Sequence, residues 1–172
     1  MIIDAREPQT TTGDIAVLLQ GNVTTGQQIK FGDLWWGTDE GTYGVELKSV
    51  SDALHSMWSR EQGERLERQL GGLREYVDVP ILGIHGIMMP IGNKTGLYGE
   101  PKPTRGDSFS IKLHAETRIS PEMVDGFLWS VAHPQDGSSP INVIWRPTKQ
   151  ALLRSIVEIY HWSDKVQHGT FV

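Results

Sequence analysis

Apolar and polar positions change period several times along the chain, and each change marks an expected element. Met1 to Asp4 is an apolar opening that reads as a short buried strand. Thr12 to Gln20 fits a helix that Gly21 stops. Val23 to Trp36 reads as two extended pieces around Gly32-Asp33, and Thr38 to Gly41 is a turn cluster. From Tyr43 to Val50 the period is two, which puts Val45 and Leu47 on one face and Glu46 and Lys48 on the other. Ser51 is then the expected N-cap of a helix carrying Leu54, Met57 and Trp58. A longer helix follows, with Leu66, Leu70, Leu73 and Val77 inside and Glu64, Arg65, Arg68 and Gln69 outside. Val79 to Ile84 is apolar without alternation, as expected of a parallel strand buried on both faces.

The pattern then breaks. Residues 87–118 are rich in Gly and Pro and hold five basic residues against three acids, Glu100, Asp107 and Glu116. The segment reads as a long loop or hairpin, with Ser108 to Leu113 its best strand candidate. Long ordered loops in compact domains often carry function. Regular patterning resumes at Ser120-Pro121-Glu122, a helix start with Ser as N-cap and Pro at the first helical position. Val124, Phe127, Leu128 and Val131 form its apolar stripe. Ile141 to Trp145 is a final strand, and Thr148 to Trp162 a final helix with Leu152, Ile156 and Ile159 inward. Strands alternating with helices predict an α/β layer fold.

Composition narrows this modestly. A chain of 172 residues supplies one hydrophobic core, so residues 1–172 are expected to form a single domain. No apolar run reaches membrane-spanning length. The opening residues lack the pattern of a secretion signal, which points to a cytoplasmic protein. There is no cysteine, which excludes disulfides and thiolate-held zinc. A net charge of -5 argues against coating nucleic acid by bulk electrostatics. It leaves room for a carboxylate cluster that holds a divalent metal, with phosphate contacts confined to one face.

The segment that carries chemistry is Gly32-Asp33, then Glu46-Leu47-Lys48, then Asp52. Glu46 and Lys48 share a strand face, and a hairpin brings Asp33 beside Glu46. Two carboxylates held close repel each other, and a hard divalent cation relieves the repulsion. Magnesium so held polarises a phosphoryl oxygen and acidifies a bound water. Lys48 is placed to orient that water or to stabilise charge developing on phosphorus. These are the parts of a phosphodiester hydrolase. A solvated strand with a surface salt bridge is the competing reading.

The motifs in order decide between them. Ile2-Ile3-Asp4-Ala5-Arg6-Glu7 resembles the Asp-x-Arg-Glu opening of the XPF-type structure-specific endonucleases. That family continues with a helix, Gly-Asp, Glu-Arg-Lys and an acid four residues later, matched here by Gly32-Asp33, Glu46-Leu47-Lys48 and Asp52. Its next helix carries an Arg and a Gln similar to Arg65 and Gln69. The strand from Pro80 to Ile84 and the ending Ile144-Trp145-Arg146-Pro147 also resemble it. The likeness spans most of the chain outside 87–118. It implies a restriction-endonuclease-like fold, a mixed central sheet flanked by helices, and magnesium-dependent cleavage of branched or flapped DNA, with manganese able to substitute. It implies catalytic roles for Asp4, Glu7, Asp33, Glu46, Lys48 and Asp52. Metal would sit on Asp33, Glu46 and the Leu47 carbonyl, and Arg6, Arg65 and Gln69 would contact DNA. Leu47 departs from the family, which has Arg there, and no stretch is left for the paired helix-hairpin-helix module that many relatives append. A free-standing domain of this kind suggests a bacterial, archaeal or viral source.

The remaining candidates are weaker. Lys94, Lys102 and Arg105 of the basic segment are candidate phosphate contacts, though a merely solvated loop has the same composition. The six histidines lack the helical spacing of a zinc site, and His85, at the end of a buried strand, is the one to inspect. One of Trp35 and Trp36 should be core and the other exposed. A junction resolvase, a duplex-nicking nuclease and an inactive DNA- or partner-binding relative are the alternative functions. A homodimer through the last strand and helix is expected, because nucleases of this fold often grip DNA with two protomers.

Overall fold

The computed structural model describes residues 1–99, 102–103 and 109–165. Along the chain run β1 (Ile2–Asp4), α1 (Gln9–Leu18), β2 (Thr24–Gln27), β3 (Leu34–Thr38), β4 (Gly41–Ser49), α2 (Val50–Trp58), α3 (Arg60–Tyr76) and β5 (Val79–His85). Then come β6 (Ile87–Ile91), β7 (Lys94–Tyr98), β8 (Lys102–Pro103), β9 (Phe109–Ser110), β10 (Leu113–Glu116), α4 (Pro121–Ala132), β11 (Asn142–Arg146) and α5 (Lys149–Ser163).

Six strands make the main sheet in the order β11-β5-β4-β3-β1-β2. Strands β4, β5 and β11 are parallel, β3 runs antiparallel to both β4 and β1, and β2 is parallel to β1. Helices cover both faces, so this is a mixed α/β sheet in three layers. On one face α1 and α5 pack Ile15, Leu152, Leu153 and Ile156 against Ile3, Leu34, Val45 and Ile81. On the other, α2, α3 and α4 pack Leu54, Leu66, Leu70 and Val124 against Leu82 and Ile84. Ile81 and Leu82 point to opposite cores, which is why β5 has no polar phase. Each such fully buried aliphatic side chain stabilises the fold by about 1.5–3 kcal/mol.

Polar links lock the layers in register. The indole of Trp36 donates to the Ser163 hydroxyl at 2.9 Å and its ring stacks on Tyr43 at 5.0 Å. Trp36 is therefore core, while Trp35 is half-buried. At the start of β4, Asp78 accepts from the Thr42 amide and hydroxyl, both at 2.8 Å.

Three expectations change. First, α1 begins at Gln9, behind Pro8. Thr10, Thr11 and Thr12 obscure a helical start, but Thr11 is buried and takes a hydrogen bond from Lys149 of α5. Second, the cap of α2 is Ser49, not Ser51: its hydroxyl accepts from the Asp52 amide at 3.0 Å. Third, residues 87–118 include more than a hairpin, because β10 adds to the β6–β7 hairpin and makes a three-stranded antiparallel sheet. Pro90, Gly92 and Gly96 interrupt the period-two pattern that would have announced these strands. The third strand is Leu113–Glu116, while Phe109–Ser110 pairs with Lys102–Pro103. Among the described residues no helix is long and apolar enough to cross a membrane.

The Gly32-Asp33 segment is set against the sheet by a close packing contact one residue before it. A Cβ on Gly72 of α3 would overlap the ring of Phe31, so the ring lies directly on the helix backbone. Gly72→Ala should lower unfolding free energy by about 1–3 kcal/mol, the usual cost of overpacking. Urea denaturation reads this directly, and an unchanged midpoint and slope would show that Phe31 does not rest on α3.

Candidate active site

The site begins with a turn that only glycine adopts comfortably. Gly32 has φ +85°, and a Cβ there would lie 3.0 Å from the Val45 carbonyl oxygen and from Leu73. The turn delivers Asp33 to the start of β3, between two strands. Its amide donates to the Val45 carbonyl at 2.7 Å, and its carbonyl accepts from the Asp4 amide at 2.9 Å. With its backbone fixed on both sides, Asp33 directs Oδ2 to the Leu47 amide, 2.7 Å away.

Glu46 is only 2% exposed and lies on the α3 face of β4, the face on which Gly44 meets Leu73 and Val77. Two residues on, Lys48 shares that face. Its Nζ is 2.7 Å from Glu46 Oε1 and donates to Gln69 Oε1 of α3 at 3.3 Å. Asp33, Glu46, Lys48 and Gln69 thus form one connected polar group at the junction of β3, β4 and α3. The electrostatics are strained. Burial, then the charge of Glu46, pushes the Asp33 carboxyl up to about 7; Glu7 adds to this, while the Leu47 amide and Lys48 oppose it.

These residues face a cleft of about 580 Å³. Its carboxylates are Glu7, Asp33 and Glu46, and its cations are Arg6, Lys30, Lys48, Arg65 and Arg68. Of the residues expected from the sequence, the fold gathers Arg6, Glu7, Asp33, Glu46, Lys48, Arg65 and Gln69 around one space. Lys30, Phe31 and Arg68 also line it, although the motifs do not mark them as site residues. Arg68 was findable, since it lies three residues past Arg65 and hence on nearly the same helical face. Lys30 and Phe31 had only their adjacency to Gly32-Asp33 to mark them.

Two expected acids are placed differently. Asp4 does not line the cleft. Its Oδ1 accepts from the Arg6 amide and Nε, both at 2.7 Å, and its Oδ2 accepts from Arg6 Nη2 at 2.9 Å and the Ile29 amide at 2.7 Å. The Arg6 guanidinium holds the Asp4 carboxyl below its ordinary range. Arg6 Nη2 also donates to the Ile29 carbonyl at 2.8 Å, so Asp4 is the hub of a latch from β1 to the segment before Asp33. Asp52 is exposed and accepts from the Ser49 hydroxyl at 2.7 Å at the start of α2. It lines an adjoining hollow of about 320 Å³ together with Lys48, Arg65 and Gln69. Lys94 lies outside the cleft on β7, 3.6 Å from Glu116. Lys102 is in the short β8, and Arg105 lies outside the described residues.

Among the described residues no three His, Cys, Asp or Glu side chains cluster as a metal site, and His85 joins no such group. The oxygens that could hold a hard cation are those of Asp33 and Glu46 with the Leu47 carbonyl. Asp33 Oδ1 has no hydrogen-bond partner among the described residues. A strand residue sends its N–H and C=O to the same side, and the Leu47 amide meets Asp33. The donor set is all oxygen and self-repelling, which suits magnesium that keeps several waters.

No protein-family model matches the chain, and no curated protein matches it. Among solved structures it is similar to XPF from Aeropyrum pernix, with a TM-score of 0.53 and 16% sequence identity. The match covers 93% of this chain and 64% of that one, so the chain spans just under two thirds of the XPF structure's length. The two share an XPF-like fold.

The crowding of the acids has a pH signature in metal-free protein. Asp33 holds its proton more tightly folded than unfolded, where its pKa is near 3.8. Its contribution to stability is full below about pH 4 and falls as pH rises toward 7. Carboxyl 13C NMR should show Asp33 titrating near 7, and Glu46→Gln should move it down. Titration near 4 in the unaltered protein would mean that neither burial nor Glu46 raises the Asp33 carboxyl.

Proposed function

We propose that this chain is a magnesium-dependent endonuclease that hydrolyses phosphodiester bonds in DNA with branched, flapped or otherwise unpaired features. The observation that carries the reading is the meeting of Asp33, Glu46 and Lys48 in a cleft otherwise walled by arginine and lysine. The fold shared with the XPF structure and the ordered motif resemblance support it. The -5 net charge does not oppose it, because the cleft itself places five cations against three carboxylates.

The residues divide the work. Asp33, Glu46 and the Leu47 carbonyl would hold the magnesium ion, for which manganese can substitute. When bound, the ion polarises a phosphoryl oxygen and acidifies a coordinated water. Lys48, steered by Glu46 and Gln69, orients the attacking water and stabilises charge developing on phosphorus. Arg6, Lys30, Arg65 and Arg68 take the flanking phosphates, and Gln69 adds a neutral polar contact. Attack is in line, with no covalent enzyme intermediate. Asp4 acts at one remove by presenting Arg6, and Asp52 by starting α2 beside Lys48.

A resolvase or a duplex-nicking enzyme would use the same chemistry, so substrate choice is the discriminating measurement. Labelled flap, fork, four-way junction and linear duplex should be cut in magnesium or manganese and not in EDTA, with branched forms preferred. Asp33→Ala should abolish cutting, and Lys48→Ala should lower kcat by about 10²–10³. A wild-type protein that binds these substrates and cuts none would instead be an inactive binder.

Dimerisation through β11 and α5 is part of the proposal, since β11 is an edge strand of the main sheet. Sedimentation at micromolar concentration should give a dimer, at least with DNA. A monomer under both conditions would remove this element.

A further inference from the structure

At the edge of the cleft stand two aromatic rings that the hydrolytic chemistry leaves unused, with one of its phosphate-binding lysines over them. Lys30 Nζ lies 5.4 Å from the ring centroids of both Phe31 and Tyr76, and the two rings meet edge to face at 5.9 Å. Phe31 rests on α3 at Gly72, so it is fixed. Tyr76 is 53% exposed, an unusual position for a large ring next to a cationic cleft. Both belong to a larger array. On α3, Arg65, Gln69, Gly72 and Tyr76 recur at helical spacing, and Arg68 flanks them. The first two line the cleft, Gly72 seats Phe31, and Tyr76 ends the helix. From Arg65 to Tyr76 the stripe runs about 16 Å, enough to follow a few nucleotides of one strand.

We propose that Tyr76, braced by Phe31 and accompanied by Lys30, is a stacking platform for an unpaired base a few nucleotides from the scissile phosphate. The proposal rests on the nuclease reading and names the feature of DNA it selects. A ring beside a cation-lined track is the arrangement by which proteins hold single strands without reading sequence, because every base has a flat face. Paired bases cannot present that face, so the platform favours substrates with a single-stranded arm over plain duplex. Lys30 leaves its position over the rings for the phosphate of the stacked nucleotide.

The test measures binding in EDTA, where no cutting occurs, with a fluorescent single-stranded oligonucleotide and a duplex of the same sequence. Tyr76→Ala should weaken single-strand binding about 5- to 100-fold and leave duplex binding within about twofold. Tyr76→Phe should bind like wild type, because the ring and not the hydroxyl stacks. Lys30→Ala should flatten the dependence of log affinity on log salt by about 0.7, one phosphate contact on a single strand. Tyr76 is exposed, and an unaltered melting curve confirms that its variants fold. If Tyr76→Ala binds single strands normally, or loses single-strand and duplex binding equally, the platform is excluded. Undiminished cutting by wild type in magnesium would then leave the nuclease reading standing. If wild type binds neither form and cuts nothing, both readings fall.

Discussion

Two carboxylates are held close together in a largely buried place, and much of the neighbouring structure exists to tolerate that. Asp33 and Glu46 come from adjacent strands of one sheet, and burial, with the charge of Glu46 second, lifts the Asp33 pKa to about 7. Left to side-chain freedom, such a pair would separate. Backbone prevents it. The Gly32 turn, the Asp33 amide on Val45 and the Leu47 amide on Asp33 Oδ2 fix one acid from three directions. The other is held by the register of β4 between β3 and β5. Lys48 offsets part of the charge but is shared with Gln69, so it does not collapse onto the acids alone. This is a preorganised arrangement, with strain maintained by the sheet.

The supporting parts follow from that demand. Central β4 and β5 are parallel and buried on both faces, so the strand carrying Glu46 and Lys48 has little freedom to slip. Helix α3 closes one side of the cleft, and its tight approach at Gly44 and Gly72 leaves no room for a larger residue at either place. Asp4 with Arg6 ties the remaining side by joining β1 to the Ile29 backbone. An acid to which the motif resemblance gives a catalytic role is hydrogen-bonded here to a guanidinium that lines the cleft.

Much of this was legible in the chain, for physical reasons that differ by residue. Alternation in β4 put Glu46 and Lys48 on one face, and the unbroken apolar run of β5 announced a parallel central strand. Asp33 was legible because Gly before Asp marks a turn that a hairpin can bring against the next strand. Asp4 and Asp52 were legible as acids but not as partners, since hydrogen bonding to Arg6 and Ser49 depends on local geometry that spacing does not encode. The small sheet of β6, β7 and β10 stayed hidden because glycine and proline replace the side chains that would show a period. Lys30 and Phe31 were missed for a related reason: a contact made against a bare helix backbone at Gly72 leaves no complementary residue in the sequence.

The acidic balance of the chain says little about what the cleft attracts. Electrostatic reach at physiological salt is about 8 Å, so a phosphate in the cleft responds to its walls and not to charges across the molecule. Those walls carry Arg6, Lys30, Lys48, Arg65 and Arg68 against Glu7, Asp33 and Glu46. With Asp33 titrating near 7, part of that negative charge is absent in metal-free protein at neutral pH. The residues that line the cleft therefore carry a positive formal balance in a chain whose net charge is -5. Such a balance attracts a polyanion at one place while the rest of the surface repels it, which is what the proposed single-strand track along α3 requires.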